Sequence, residues 1–130
     1  MKISFFQSPV SAGFPSPADD IVEKTLDLNE LLIEHPAATF FVRVQGSSMK
    51  DAHILDGDVL IVDRAKKAVS GSIVVAVLNG EFTVKRIEKK GEAIWLVPEN
   101  RKFPPTEIRP EMEFQVWGVV TYVIHKIQPR

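Results

Sequence analysis

Cysteine is absent from the 130 residues, so no disulfide and no thiolate metal site can form. That lack fits a reducing compartment, and a cytoplasmic location is expected. Histidine is scarce: His35, His53 and His125 are scattered along the chain. They lack the i, i+4 spacing of a two-histidine metal site, and none stands in a recognisable Ser-His-Asp setting. Each reads as a surface or partly buried side chain, and no metal or other cofactor is expected.

Charge of one sign is not in excess either. Sixteen lysines and arginines against seventeen aspartates and glutamates leave a formal charge of −1. A chain that grips DNA through its phosphates carries a basic excess or a basic face. The only adjacent lysine pairs are Lys66-Lys67 and Lys89-Lys90, and a solvated turn accounts for each, so no direct sequence-specific DNA binding is expected. Long apolar runs are missing too. The longest aliphatic stretch, Ile73 to Leu78, has six residues, against the roughly 20 that a membrane span needs. The opening Met1-Lys2-Ile3-Ser4-Phe5-Phe6, soon interrupted by Pro9, does not read as a signal peptide. A soluble protein with no membrane contact is expected.

What is present is ordinary for one globular domain: 45% hydrophobic and 25% charged residues, enough to build a single core. No internal repeat is visible. Residues 1–26 stand apart, because Pro9, Pro15, Pro17 and Gly13, with five serines or threonines, break any periodic pattern. The stretch reads as a flexible arm, with Phe14 and Ser16 held extended by the prolines that follow them. Residues 27–130 read as the body. Asp27 with Glu30 three positions on resembles a capping box, followed by a helical stripe of Leu28, Leu31, Leu32 and His35 that Pro36 ends. From Thr39 onward the pattern is β: Thr39–Val44, Asp58–Asp63, Ile73–Leu78, Glu81–Ile87, Ala93–Pro98 and Phe114–Ile124. Asn79-Gly80 is a strong two-residue hairpin signal, and Lys89-Lys90-Gly91 reads as a second turn. So many strands with short turns predict a mainly β fold of partly closed, barrel-like sheets with one short helix.

Two places carry possible chemistry. Gly46-Ser47-Ser48-Met49 follows a strand, and a glycine there lets the backbone turn and present a hydroxyl. On this tetrapeptide alone the plainer reading is that Ser47 or Ser48 caps a short helix starting near Met49. A serine nucleophile needs a base, and a lysine serves if burial keeps it neutral. Alternation along Glu81–Ile87 leaves open whether Lys85 or Arg86 points inward. Only Lys85 could act as a base, since arginine is not deprotonated in proteins; taken alone, though, Lys85 also reads as an exposed strand lysine.

Three stretches, Arg43-Val44-Gln45-Gly46-Ser47-Ser48-Met49, Asp56-Gly57-Asp58-Val59-Leu60-Ile61-Val62-Asp63 and Gly80-Glu81-Phe82-Thr83-Val84-Lys85-Arg86, resemble the UmuD branch of the LexA/UmuD self-cleaving family. So do Gly13-Phe14-Pro15-Ser16-Pro17-Ala18 and Asp27-Leu28-Asn29-Glu30-Leu31-Leu32-Ile33, and the likeness runs from about Gly13 to the C-terminus. The resemblance implies Ser48 as nucleophile, Lys85 as general base and Ala12-Gly13 as the bond cut. Two small residues would let the backbone come close to a nucleophile. It further implies cleavage stimulated by RecA filaments on single-stranded DNA, a place in the SOS response, a trimmed homodimer, and partnership with a UmuC-type error-prone polymerase in translesion synthesis. Three other readings compete: a signal-peptidase-like protease, the C-terminal domain of a LexA-like repressor, and a cleavage-dead interaction module. The first is disfavoured by the missing anchor, the second by an arm of twelve residues, too short for a helix-turn-helix.

Overall fold

A computed structural model describes residues 2–6, 12, 13 and 23–129. The chain divides into two compact units, residues 1–34 and 35–130. In the first, strand β1 (Lys2–Phe6) pairs antiparallel with β2 (Glu23–Asp27), Lys2 opposite Asp27 and Phe6 opposite Glu23. The sequence pattern predicts no strand here, because the prolines between the two segments hide a pairing that is non-local. Phe14 and Ser16, expected to be extended, lie outside the described residues.

The helix follows at once as α1 (Leu28–Leu32), and the Asp27 side chain accepts from the Asn29 N–H at 2.9 Å, so the expected cap is there. It is shorter than the stripe to His35 suggested. Ile33 is already extended, and His35 has φ −127° and ψ 84°. The ring of Pro36 disfavours helical geometry in His35, the residue before it, so the stripe could not have run on to His35 as helix.

The second unit is one seven-stranded sheet. Its strands are β3 (Thr39–Arg43), β4 (Val59–Asp63), β5 (Ile73–Leu78), β6 (Glu81–Lys90), β7 (Ala93–Val97), β8 (Thr106–Glu107) and β9 (Phe114–Ile124). Their order is β3-β4-β9-β5-β6-β7-β8, antiparallel throughout. Among the described residues the protein is therefore mainly β with one short α-helix, and its two sheets are not closed into a barrel: β3 and β8 remain edges. The β5–β6 hairpin turns on Asn79 (φ 50°) and Gly80 (φ 82°), the two positive values that a type I′ turn needs. The expected turn at Lys89-Lys90 falls later. β6 runs to Lys90, with Lys89 opposite Ile94, and Gly91 takes the positive φ.

Two buried clusters flank the central strand. Val75 joins Val44, Met49, Ile54, Leu60 and Val62, whereas Val74 and Ala76 join Ile87, Leu96 and Val119. Successive side chains of a strand point to opposite faces, so β5 is covered on both, which is why its sequence is a continuous aliphatic run. Against it, β9 carries a bulge: Val75 pairs with Gly118 and Ala76 with Val116, leaving Trp117 as the extra residue. A Cβ at Gly118 would sit 2.5 Å from Val62 Cγ1, so the bulge packs onto β4 only with glycine at that position.

Candidate active site

β3 and β4 are joined by a loop that folds back on itself. The Val44 N–H donates to the Asp58 carbonyl and the Gly57 N–H to the Val44 carbonyl, each at 2.8 Å. Within the loop Gly46 takes φ +96°, a left-handed value that suits glycine, and its N–H donates to Asp56 Oδ1 at 2.7 Å. A tight turn follows, closed by the Lys50 N–H to the Ser47 carbonyl at 3.2 Å. Met49 has φ −119° and ψ 18°, near the third position of a type I turn, and its side chain is sunk in the core at 2% exposure. Ser47 is left exposed, Met49 is the anchor, and Ser48 between them is half-buried.

Helix capping does not account for these serines. The short 3₁₀ helix that follows, Lys50–Ala52, is preceded by Met49 as its cap residue and receives no side-chain capping bond.

Lys85 comes from β6, where it pairs with the fully buried Val74. Its Nζ lies 3.0 Å from Ser48 Oγ, 2.8 Å from Thr83 Oγ1 and 3.0 Å from the Val84 carbonyl. Burial holds the Lys85 ammonium below its ordinary value, because the charged form is taken out of water. Among the described residues Lys85 makes no ion pair, so no carboxylate restores what burial removes. Arg86, the other candidate for the inward position, goes elsewhere: its Nε pairs with Glu99 and its Nη1 donates to the Gly71 carbonyl at 2.6 Å.

The three neighbours of Nζ sort its protons. The Val84 carbonyl is an acceptor only and the Thr83 hydroxyl can accept, so a neutral amine donates its two hydrogens there. Its lone pair is then left facing Ser48 Oγ. Thr83 was not singled out from the sequence, although its i, i+2 relation to Lys85 places both on one strand face.

Ser48 and Lys85 open into a cleft of about 480 Å³. Val42, Val44, Phe82 and Trp117 supply apolar walls, and the Trp117 released by the β9 bulge lies 5.2 Å from the Phe40 ring and edge-on to Phe82 at 5.8 Å. Ala12 and Gly13, the other two candidate residues, belong to the first unit, where both are exposed.

Two buried carboxylates brace this framework. Burial alone would raise Asp58, but the Leu55 N–H and the ring of His125, whose Nδ1 is 2.6 Å from Oδ1, outweigh it and hold the carboxyl below its ordinary value. Asp63 behaves in the same way: burial is outweighed by His35 Nδ1 at 2.6 Å and by the N–H groups of Ala65 and Lys66. No helix among the described residues is long and apolar enough to cross a membrane.

Comparison with known proteins adds the following. A profile described as Peptidase S24-like matches residues 4–121. The protein MucA of Salmonella typhimurium is 50% identical over 122 residues, which cover 93% of this chain and 83% of that one. The protein SamA of Salmonella typhimurium is 50% identical over 121 residues, 93% of this chain and 84% of that one. LexA repressor 1 of Pseudomonas putida is 40% identical over 118 residues, 90% of this chain and 58% of that one.

Proposed function

The chain belongs to the Peptidase S24-like family and is UmuD-like within it, and on that premise we propose that it is a self-cleaving SOS mutagenesis protein whose Ser48 and Lys85 cut the Ala12-Gly13 bond. The observation that carries this reading is the 3.0 Å approach of Lys85 Nζ to Ser48 Oγ in a cleft where burial favours the neutral amine.

Neutral Lys85 takes the hydroxyl proton as Ser48 Oγ bonds to the carbonyl carbon of Ala12. Backbone N–H groups around Ser48 stabilise the oxyanion. As the tetrahedral species collapses, the C–N bond to Gly13 breaks and Lys85 returns the proton to the departing amine. Water then hydrolyses the acyl ester, freeing residues 1–12 and regenerating the serine. A substrate tethered to its own catalyst reacts at high effective concentration, so a modest catalyst suffices. Mutually supporting features are the small side chains at the bond and the apolar walls of the cleft.

The wider role rests on the UmuD-like character. Cleavage is stimulated by RecA filaments on single-stranded DNA, and the trimmed chain forms a homodimer that joins a UmuC-type polymerase in translesion synthesis in the cytoplasm.

The test is incubation of the purified 130-residue chain at alkaline pH, followed by mass spectrometry. The expected product begins at Gly13. Ser48→Ala should be inert, whereas Ser47→Ala should still cut. A new N-terminus elsewhere, or loss of cleavage in Ser47→Ala alone, would overturn the assignment.

A further inference from the structure

The carbonyl of Ser47 is held by a residue outside the cleft. Asn100, on the loop after β7, is 6% exposed, and its Nδ2 donates to the Ser47 carbonyl at 2.8 Å. Its Oδ1 accepts from the Lys102 N–H at 3.0 Å. The neighbouring Glu99 carbonyl accepts from the Asp51 N–H at 2.8 Å, and the Glu99 carboxylate pairs with Arg86 of β6. The loop is thus tied to the strand that carries Lys85 and to both sides of the serine turn. Asn100 does not line the cleft. With Lys50, Asp51, Arg101 and Lys102 it lines a separate depression.

The peptide joining Ser47 to Ser48 is trans and planar, so the Ser47 C=O and the Ser48 N–H point in opposite directions from one rigid plate. Fixing the carbonyl toward Asn100 turns the N–H to the other side, where Ser48 lines the cleft. Among the described residues the Ser48 N–H has no acceptor. The turn's own bond to that carbonyl, from Lys50, is 3.2 Å, at the long end of the N–H···O range, and the Asn100 bond is the shorter of the two.

We propose that Asn100 is a positioning residue of the cleavage reaction: by clamping the Ser47 carbonyl it aims the Ser48 N–H at the oxyanion that forms on the residue being cut. This rests on the reading of Ser48 as nucleophile.

Asn100→Asp keeps the side chain's shape and the acceptor for Lys102 but has no donor for Ser47. Self-cleavage of the 130-residue chain is measured against pH, each rate divided by the folded fraction read by circular dichroism on the same sample. The midpoint set by Lys85 should stay in place while the alkaline plateau falls on the order of tenfold to a hundredfold, less than the roughly 10²–10³ lost when an oxyanion donor is removed outright. Asn100→Gln, which carries the donor on a longer arm, should recover part of the loss. A purely structural role would lower the folded fraction and leave the rate per folded molecule unchanged. A wild-type plateau in Asn100→Asp overturns the proposal, and so does a plateau that falls together with a displaced midpoint.

If Asn100→Asp does not fold, the uncut wild-type chain at neutral pH decides by NMR. The Asn100 side-chain amide should be protected from exchange and coupled through the hydrogen bond to the Ser47 carbonyl carbon, and exchange at the rate of a free amide overturns the proposal. Ser48→Ala run alongside keeps two failures apart. Cleavage persisting there overturns the nucleophile, whereas an inert Ser48→Ala beside an unaffected Asn100→Asp overturns the Asn100 role alone.

Discussion

Replacing Lys85 puts the proposed chemistry under the greatest strain. A lysine with an unperturbed pKa near 10.4 is neutral in only about one molecule in a thousand at pH 7.4, and each unit of depression raises that fraction about tenfold. Burial lowers the Lys85 value, and no ion pair among the described residues opposes it. Below the folded-state pKa, the cleavage rate should therefore climb about tenfold per pH unit and then level off, because only the neutral fraction reacts. The same shift fixes the sign for stability. The folded-state pKa lies below the unfolded one, so between the two the unfolded chain binds more protons, and stability rises with pH across that window. Lys85→Ala removes the base and should lower the plateau by roughly 10²- to 10⁴-fold, the usual worth of a positioned general base, while flattening the pH dependence. Lys85→Arg should be equally inactive, since the guanidinium remains protonated and offers no lone pair. The assay is the rate of appearance of the chain beginning at Gly13, from neutral pH to about pH 10, close to the unperturbed lysine value. A Lys85→Arg chain cutting at the wild-type rate, or a wild-type rate that falls as pH rises over that range, would refute the argument.

Two further outcomes test the framework. Gly118→Ala drives a methyl to 2.5 Å from Val62 Cγ1, and Val62 is fully buried, so overpacking should cost about 1–3 kcal/mol in urea unfolding; a midpoint equal to wild type refutes the close approach. His125→Ala removes one of the groups holding Asp58 below its ordinary value, and that stability is present above the unfolded carboxylate pKa and lost as pH falls through the folded one. The acid-unfolding midpoint, followed by circular dichroism, should move to higher pH, and an unmoved midpoint would show that Leu55 alone holds the carboxylate.

Local chemistry was legible in the sequence, and distant pairing was not. Asn79-Gly80 announces its turn because the two residues themselves supply the positive φ values. Ile73–Leu78 and Phe114–Ile124 were readable to the residue, since both are long β-rich runs bounded by turns. β8 has two residues and exists only because Trp95 and Leu96 pair with it. At the site, Ser48 and Lys85 were selected by their chemistry and by family resemblance, not by periodicity, which left Arg86 equally placed. Asn100 gave no signal at all: it meets the Ser47 carbonyl across 53 positions, and an Asn in a loop reads first as a turn residue.

In the proposed reaction the half-buried state of Lys85 would connect substrate docking to catalysis. Its amine is desolvated on the protein side, but Lys85 is only half-buried and lines a cleft, so solvent entering the cleft would solvate part of the charge. A peptide segment lying between Val42, Phe82 and Trp117 would displace that water. On the proposed cleavage site it would bring no compensating charge, because Ala12 and Gly13 and their immediate neighbours Ser11 and Phe14 are uncharged. Desolvation disfavours the ammonium further, so the occupied cleft holds more neutral Lys85 than the empty one at the same pH. By linkage the neutral form binds the segment more tightly than the charged form does. Docking and deprotonation are then two views of one equilibrium. A factor that steadies the segment in the cleft would thereby also supply the base, without touching either Ser48 or Lys85.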